Sequence, residues 1–268
     1  CFGDTTQFTN LSTVQSGQAA DLTSHWYFQD GSTGYWSYVP PPVDSLFITY
    51  EVDTNQHEFL EGGVYDVQLI AVNNTNQCTD TAVATVTIYH PSIGLSYSTS
   101  DTVICLGEEV VFEAFGDSAT VQYEYFLNGV SVQGPLVNNL YTTTTLADQD
   151  TVSVLAFEGG CYSDSMPSFV FSVFDLPVFN FTSSDIDFTI CGSDSVYFTA
   201  GQPLEPSYSY QFQLNGGGVT SFVDSINVWG VDTLADNDLI AAIVVDTLGC
   251  RDTMEMTFTV NPLPTTRL

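Results

Sequence analysis

The sequence predicts an all-β chain built as a tandem array of three β-sandwich domains. Three observations carry this: a threefold internal repeat, strand-like alternation without helical stripes, and turn dipeptides at matching places in the repeat. Self-similarity is read first, because a repeat sets the unit of folding. Three segments open the units: Cys1-Phe-Gly-Asp-Thr-Thr-Gln-Phe8, Cys105-Leu-Gly-Glu-Glu-Val-Val-Phe112 and Cys191-Gly-Ser-Asp-Ser-Val-Tyr-Phe198. Each has an acid three residues after its Cys and a Phe seven after it. A second block follows in each: His25-Trp-Tyr-Phe-Gln-Asp-Gly31, Tyr123-Glu-Tyr-Phe-Leu-Asn-Gly129 and Tyr210-Gln-Phe-Gln-Leu-Asn-Gly216. A third begins at Leu60, Leu146 or Leu234 and runs to a second Cys, at Cys78, Cys161 or Cys250. One more alternating strand then leads to Pro91, Pro177 or Pro264.

The units are therefore residues 1–91, 92–177 and 178–264, each about the size of a small sandwich domain, with 265–268 starting a further repeat. Proline fixes φ and donates no N–H, so it ends a strand and stiffens the joint. A rigid rod of domains is expected. Units two and three have a strand before their first Cys, Gly94-Leu-Ser-Tyr97 and Val178-Phe-Asn-Phe181. Unit one lacks that strand, which would lie upstream or come from a neighbouring subunit by strand addition.

Alternation is clean in Ala84–Ile88, Thr151–Val154 and Met256–Val260, the period of half-buried strands. Asn128-Gly129, Asn215-Gly216 and Asp30-Gly31 mark tight hairpins. In unit three Tyr210, Phe212 and Leu214 take the inward phase. In unit one Trp26 and Phe28 sit in the opposite phase relative to Asp30, so unit one is a different sandwich subtype, because a one-residue shift flips every side chain.

Two basic residues against 32 acidic ones give a formal net charge of -30. That field disfavours nucleic acid and anionic lipid surfaces. No apolar run approaches the roughly 18–20 residues of a membrane span, and with no basic-then-apolar stretch at Cys1 any signal peptide is expected upstream.

The six cysteines, Cys1, Cys78, Cys105, Cys161, Cys191 and Cys250, fall two to a unit. Of the 15 pairings open to six cysteines, the repeat favours one inside each unit: Cys1–Cys78, Cys105–Cys161 and Cys191–Cys250. No C-x-x-C spacing argues for zinc. A lipidated Cys1 is a second reading of that residue.

In unit one, Trp26-Tyr-Phe-Gln-Asp-Gly31 followed by His57-Glu-Phe-Leu-Glu-Gly-Gly63-Val-Tyr65-Asp-Val67 resembles the PKD domain. Gln29 stands where that family usually has a small residue. In units two and three, Ile104-Cys-Leu-Gly-Glu, Leu127-Asn-Gly129, Leu146-Ala-Asp-Gln-Asp150 and Gly160-Cys161 resemble the Ig-like repeats of very large Bacteroidetes adhesins, gliding-motility adhesins among them. The resemblance implies immunoglobulin-like sandwiches on an extracellular, cell-surface protein.

Twelve hydroxyl residues follow an Asp and precede an apolar residue or Thr: Thr5, Ser45, Thr81, Thr102, Ser118, Thr151, Ser165, Ser195, Ser225, Thr233, Thr247 and Thr253. Composition predicts only about 2. The triplet resembles the O-glycosylation motif of Bacteroidetes secreted proteins, and it also describes an ordinary strand entry. Asp148, Asp150, Asp236 and Asp238 recur at the turn entering the penultimate strand and are candidate Ca²⁺ ligands, or else turn caps. Tyr35, Trp36 and Tyr38, in an insertion peculiar to unit one, are candidate contact aromatics for sugars or a neighbour. No phosphate loop or convergent His/Cys/acid set is legible, so no enzyme is expected. The expected role is a structural and adhesive segment of a giant secreted surface adhesin or extracellular filament. Its partners would be neighbouring repeats, other copies of itself and surface glycans. Accessory modules of a secreted polysaccharide-degrading enzyme, or a self-polymerising filament subunit, are the alternatives.

Overall fold

The computed structural model describes residues 1–13, 22–29, 54–201, 207–224 and 227–265, and none of these is helical. In the first repeat β1 (Thr5–Thr9) pairs with β3 (Thr54–Glu58), and β4 (Gly63–Asn73) lies between β2 (Leu22–Tyr27) and β5 (Thr79–Ile88). The inward alternation of β4 buries Tyr65, Val67, Leu69 and Ala71. Trp26, Phe59 and Ile88 complete that core, with Phe8 of the facing sheet packed against it. The inward phase expected for Trp26 is borne out.

The second repeat runs through β6 (Gly94–Tyr97), β7 (Val103–Cys105), β8 (Val110–Phe115), β9 (Gln122–Leu127), β10 (Val130–Leu136), β11 (Leu140–Thr143), β12 (Thr151–Glu158), β13 (Cys161–Tyr162), β14 (Ser168–Val170) and β15 (Ser172–Phe174). One sheet is ordered β11-β8-β6 and the other β10-β9-β12-β13, with β14 also on β12. Tyr125 of β9 meets Tyr141 of β11 at 5.4 Å between ring centroids, so the two sheets face each other. Its hydroxyl donates to the Asn139 carbonyl at 2.5 Å, and burial pushes that phenol well above its ordinary pKa.

The third repeat has the same topology through β16 (Phe181–Ser183), β17 (Thr189–Cys191), β18 (Val196–Ala200), β19 (Ser209–Leu214), β20 (Gly217–Gly218), β21 (Val223–Asp224), β22 (Val228–Val231), β23 (Leu239–Val245), β24 (Arg251–Thr257) and β25 (Thr259–Asn261). Sheets β16-β18-β22 and β20-β19-β23-β24 enclose Phe198, Tyr210, Phe212, Ile240, Val244 and Phe258. Tyr210, Phe212 and Leu214 point inward as the alternation requires. The first strand, β16, begins only at Phe181 rather than at Val178. Val178 is exposed, whereas Phe179 turns into the core.

Both Asn-Gly pairs form the hairpins expected of them. Asn128 and Gly129 have φ of 51° and 77°, and Asn215 and Gly216 have 50° and 78°, the doubly left-handed pattern of a type I′ turn. Each Asn side chain also accepts from the first amide of the penultimate strand, Thr151 or Leu239. Asp30-Gly31 lies outside the described residues.

The fold is thus all-β, with tandem immunoglobulin-like sandwiches. Short strands β7 and β17 pair in parallel with the ends of the last strands, Cys105 opposite Phe174 and Cys191 opposite Asn261. The chain divides into two compact units. One comprises Cys1–Ser98, Val110–Thr142 and Thr151–Val170, the other Thr99–Glu109, Thr143–Asp150 and Phe171–Leu268.

Phe198 is fully buried against Trp229 and Phe258, each 5.5 Å away. Phe198→Ala is expected to destabilise the third sandwich by about 3–5 kcal/mol, followed by Trp229 fluorescence in denaturant. Ile186→Thr, at a 91% exposed position, should stay within about 0.5 kcal/mol of the parent.

Candidate functional site

The last strand of each sandwich decides where the sulfur atoms lie. The second Cys of a repeat sits at the start of the segment that closes it (β5, β13 to β15, or β24 with β25), and the first Cys sits beside the far end of that segment. In the third repeat Cys250 precedes β24, whereas Cys191 is level with Asn261, eleven residues further on. In the first repeat Cys78 precedes β5, while the Phe2 amide donates to Tyr89 O, again eleven residues beyond. Eleven extended residues cover about 36 Å, far beyond the roughly 4.4–6.8 Å between the α-carbons of a disulfide. The two cysteines of one repeat stand at opposite poles and cannot meet.

The structure accordingly replaces the pairing expected within each repeat. Cys1 bonds to Cys161 and Cys105 bonds to Cys250, with Cα–Cα distances of 5.4 and 5.5 Å. In both bonds the first Cys of one repeat joins the second Cys of the next. Cys78 and Cys191 are free and exposed, so neither Cys1–Cys78, Cys105–Cys161 nor Cys191–Cys250 exists.

The recurring acid after each first Cys shapes the loop that presents its sulfur. The amides of Asp4, Glu108 and Asp194 donate back to the carbonyls of Cys1, Cys105 and Cys191 at 3.2, 3.0 and 3.0 Å. The residue before each acid is left-handed: Gly3 at 79°, Gly107 at 84° and Ser193 at 73°. Glu108 and Asp194 then accept from the Cys105 and Cys191 amides through their carboxylates. The second cysteines share a frame of their own, since the residue before each is also left-handed: Gln77 at 59°, Gly160 at 91° and Gly249 at 92°.

Side chains from both repeats converge around Cys1–Cys161. The Phe2 ring stacks on His90 at 4.1 Å, and His90 Nε2 lies 2.9 Å from Asp164 Oδ2. A Cβ on Gly159 would come within 2.2 Å of the Tyr89 ring, and its φ is 59°. Only glycine fits there.

The acids considered for calcium close turns instead. Asp150 and Asp238 accept from the Ala147 and Ala235 amides at 2.8 and 2.7 Å. Asp148 and Asp236 reach across to the last strand and accept from Val173 and Val260. Gln149 and Asn237 between them are left-handed, both with φ 66°. These oxygens are spent on backbone N–H groups. Among the described residues no three His, Cys, Asp or Glu side chains stand close enough to hold a metal ion.

Of the Asp-Ser/Thr positions, Thr5, Thr81, Ser165, Ser195, Thr233, Thr247 and Thr253 are exposed, and Thr102, Ser118 and Thr151 are half-buried. Ser45 and Ser225 lie outside the described residues, as do Tyr35, Trp36 and Tyr38. Asp80 and Asp252 cap the amides of Thr81 and Thr253, the strand-entry role. His57 stacks on Phe28 at 3.9 Å and packs on Phe59. A hollow of about 230 Å³ beside Cys78, lined also by Ser12, Asn73, Asp80 and Leu69, gathers no acid–base pair.

No protein-family model matches this chain, and no curated protein matches it. Among solved structures, the N-terminal eight Ig domains of Down Syndrome Cell Adhesion Molecule align at a TM-score of 0.41 and 11% identity, over 97% of this chain and 39% of that one. Sidekick-1 immunoglobulin domains 1–5 align at 0.32 and 11%, over 97% and 56%. Clostridium thermocellum CbhA fibronectin(III)-like modules align at 0.34 and 14%, over 66% and 99%. The fold itself is carried by the strand pairing above. Disulfides persist in oxidising compartments and are rare in the reducing cytosol, which suggests an extracellular module.

Proteolysis without reduction is expected to release Cys1 joined to Cys161 and Cys105 joined to Cys250, with Cys78 and Cys191 open to alkylation. Peptides joining Cys1 to Cys78 would contradict the polar placement of the sulfurs. Asp238 also accepts from the Asn215 side chain at 2.8 Å. Asp238→Ala should therefore cost about 1–3 kcal/mol, measured by denaturation of the third sandwich.

Proposed function

We propose that this chain is a non-catalytic, load-bearing segment of a secreted cell-surface adhesin or extracellular filament. The reading is carried by one observation: the two disulfides join consecutive repeats, whereas an in-repeat bond would reinforce only a single sandwich. A staple between repeats bears directly on force applied along the chain. It shortens the covalent route from end to end.

With both bonds intact, the shortest route from Cys1 to Leu268 jumps from Cys1 to Cys161. It then follows the 56 residues back to Cys105, jumps to Cys250 and runs the last 18 residues. Between the two staples three stretches of chain lie in parallel, and the 56-residue one comes taut first. The sandwiches can unfold, yet the segment extends only in part. Exposed Asp-Ser/Thr sites such as Thr81, Thr233 and Thr247 would carry glycans on such a surface protein, adding to the solvation of a chain with net charge -30.

Pulling a single molecule by its termini tests this. The oxidised chain should stop near roughly 260 Å of extension, and the reduced chain should reach roughly 930 Å, at about 3.5 Å per residue. Full extension without reductant would remove the load-bearing reading.

A further inference from the structure

The sheet edges of the second and third repeats are blunted, whereas a long edge of the first is open. In the second repeat β10 shifts register twice, between Ser131 and Gln133 and between Gln133 and Leu136, and it carries Pro135. At the other side of that sheet Pro167 falls between the short strands β13 and β14. In the third repeat β20 and β21 have two residues each, and β24 bears Arg251, Asp252 and Glu255. Bulges, prolines, short strands and charges are the usual protections of an unpaired edge. β5 has little of this. It pairs with β4 over 10 residues without a shift, and Asp80 is its sole charged residue. It lies at the end of the sheet β2-β4-β5 and is exposed from Thr79 to Thr85 and at Thr87.

Two hydrogen bonds fix which of its backbone groups face outward. The Cys78 carbonyl accepts from the Asn73 amide at 2.8 Å, on the β4 side. Hydrogen-bonded residues alternate along an antiparallel pair, so Asp80, Ala82, Ala84, Val86 and Ile88 bond to β4. Thr79, Thr81, Val83, Thr85 and Thr87 therefore turn their N–H and C=O groups away from it. The Thr81 amide agrees, since it donates to the Asp80 carboxylate at 2.9 Å. The side chains of this outward set share the outer face, where Val83 is 59% exposed and the Thr85 hydroxyl donates to Asp66 at 2.8 Å.

We propose that β5 pairs with β5 of a second copy, antiparallel about a twofold axis at Ala84. Thr81 then stands opposite Thr87 of the other copy, and Val83 opposite Thr85. The occupant is a second copy because of where the charge is missing. The sequence has 32 acidic residues, yet none falls between Thr81 and Ser100. Two chains of net charge -30 meet with least local repulsion along such a stretch, whereas a cationic strand would find no carboxylate there to pair with. Thr and Val set opposite one another are also favourable cross-strand pairs.

The register follows from the outward phase and from Asp80. Partners across the new seam must both belong to the outward set, and a slip of one residue would aim them at groups already bonded to β4. Slips toward Thr79 bring the two Asp80 carboxylates together, and slips toward Tyr89 reach Pro91, which has no N–H. With the axis at Ala84, each Asp80 lies beside Ile88 of the other copy, about 27 Å from its own counterpart at about 3.4 Å per residue. The two Asp66 carboxylates lie three strand spacings apart, about 14 Å. Both distances exceed the screening length of about 8 Å at physiological salt. The contact is the same patch on both copies, so it closes at the dimer. This sideways pairing goes beyond the load-bearing reading and does not rest on it.

Sedimentation of the full chain with rising concentration should show a species of twice 29.2 kDa. It should persist in reductant and grow at about 1 M salt, where the screening length is about 3 Å. Val83→Pro removes an outward N–H and leaves the ladder to β4 complete, as prolines at edges do. Its circular dichroism should match the parent, and it should stay monomeric. Val83→Asp should weaken the dimer by about tenfold or more through like charges at the seam. Ile186→Asp, at a 91% exposed position in the third repeat, should leave it unchanged. In oxidised samples Ala84→Cys should form a bond between the two introduced thiols, found by peptide mapping, because facing residues of this kind lie about 4.5 Å apart. Ala82→Cys should not. A parent chain monomeric at every concentration and salt, a dimer undiminished by Val83→Pro, or cross-linking at Ala82 in place of Ala84 would overturn the proposal.

Discussion

The direction of the last strand in each sandwich is the constraint from which the covalent design follows. The closing segment of each repeat (β5, then β13 to β15, then β24 with β25) begins at the second cysteine and ends level with the first, so its length keeps the two sulfurs of a repeat apart. Backbone hydrogen bonds fix this, through parallel pairing of β7 with β15 and of β17 with β25. No side-chain rearrangement can undo it, because moving a sulfur to the other pole would mean unpairing a strand. Once the poles are fixed, a first cysteine can meet only a sulfur at the opposite pole of an adjoining sandwich.

The features around the sulfurs serve that placement. Loops with a left-handed third residue turn Cys1, Cys105 and Cys191 outward at one pole, and tight turns present Cys78, Cys161 and Cys250 at the other. Asp148 and Asp236 tie the turn before the penultimate strand to the last strand through the amides of Val173 and Val260. They hold the far end of that strand in register with its short parallel partner. The recurring acids are thus read best as a frame for the disulfide poles, which also explains why they recur while the exposed faces vary.

Much of this was legible in the sequence. Asn128-Gly129 and Asn215-Gly216 named their hairpins because only a few residues tolerate two successive left-handed positions. The alternation of Tyr210, Phe212 and Leu214 named the inward face. The sulfur pairing was misread for a specific reason. The repeat shows that each unit owns two cysteines, but ownership does not give position. The missing signal was polarity: the closing segment runs in one direction from the second Cys to the closing proline, and the first Cys returns beside that end. Counting strand directions from Cys191 to Asn261 would have put the two sulfurs of a repeat at opposite poles. The Asp148 and Asp236 carboxylates were likewise ambiguous, because a turn cap and an oxygen ligand need the same residue, and only the Val173 and Val260 amides decide between them. For Tyr35, Trp36 and Tyr38 neither alternation nor the repeat supplies a phase.

The interleaving of the two bonds bears on how the chain is made. Cys1–Cys161 and Cys105–Cys250 close loops of 160 and 145 residues that overlap. Loop-closure entropy alone gives either about 5 kcal/mol of stabilisation against the unfolded chain, and the same entropy makes either slow to find from an unfolded chain. Sulfurs this far apart in sequence are brought together only after the sandwiches that carry them have formed, each on its own core. Oxidation is then a late step that locks repeats already folded. The charge pattern points the same way: Arg251 beside Cys250 and Arg267 are all the lysine and arginine in this sequence. Ion pairs of lysine or arginine with acids therefore cannot hold successive sandwiches together against their acidic surfaces, and the covalent bond does so independently of salt.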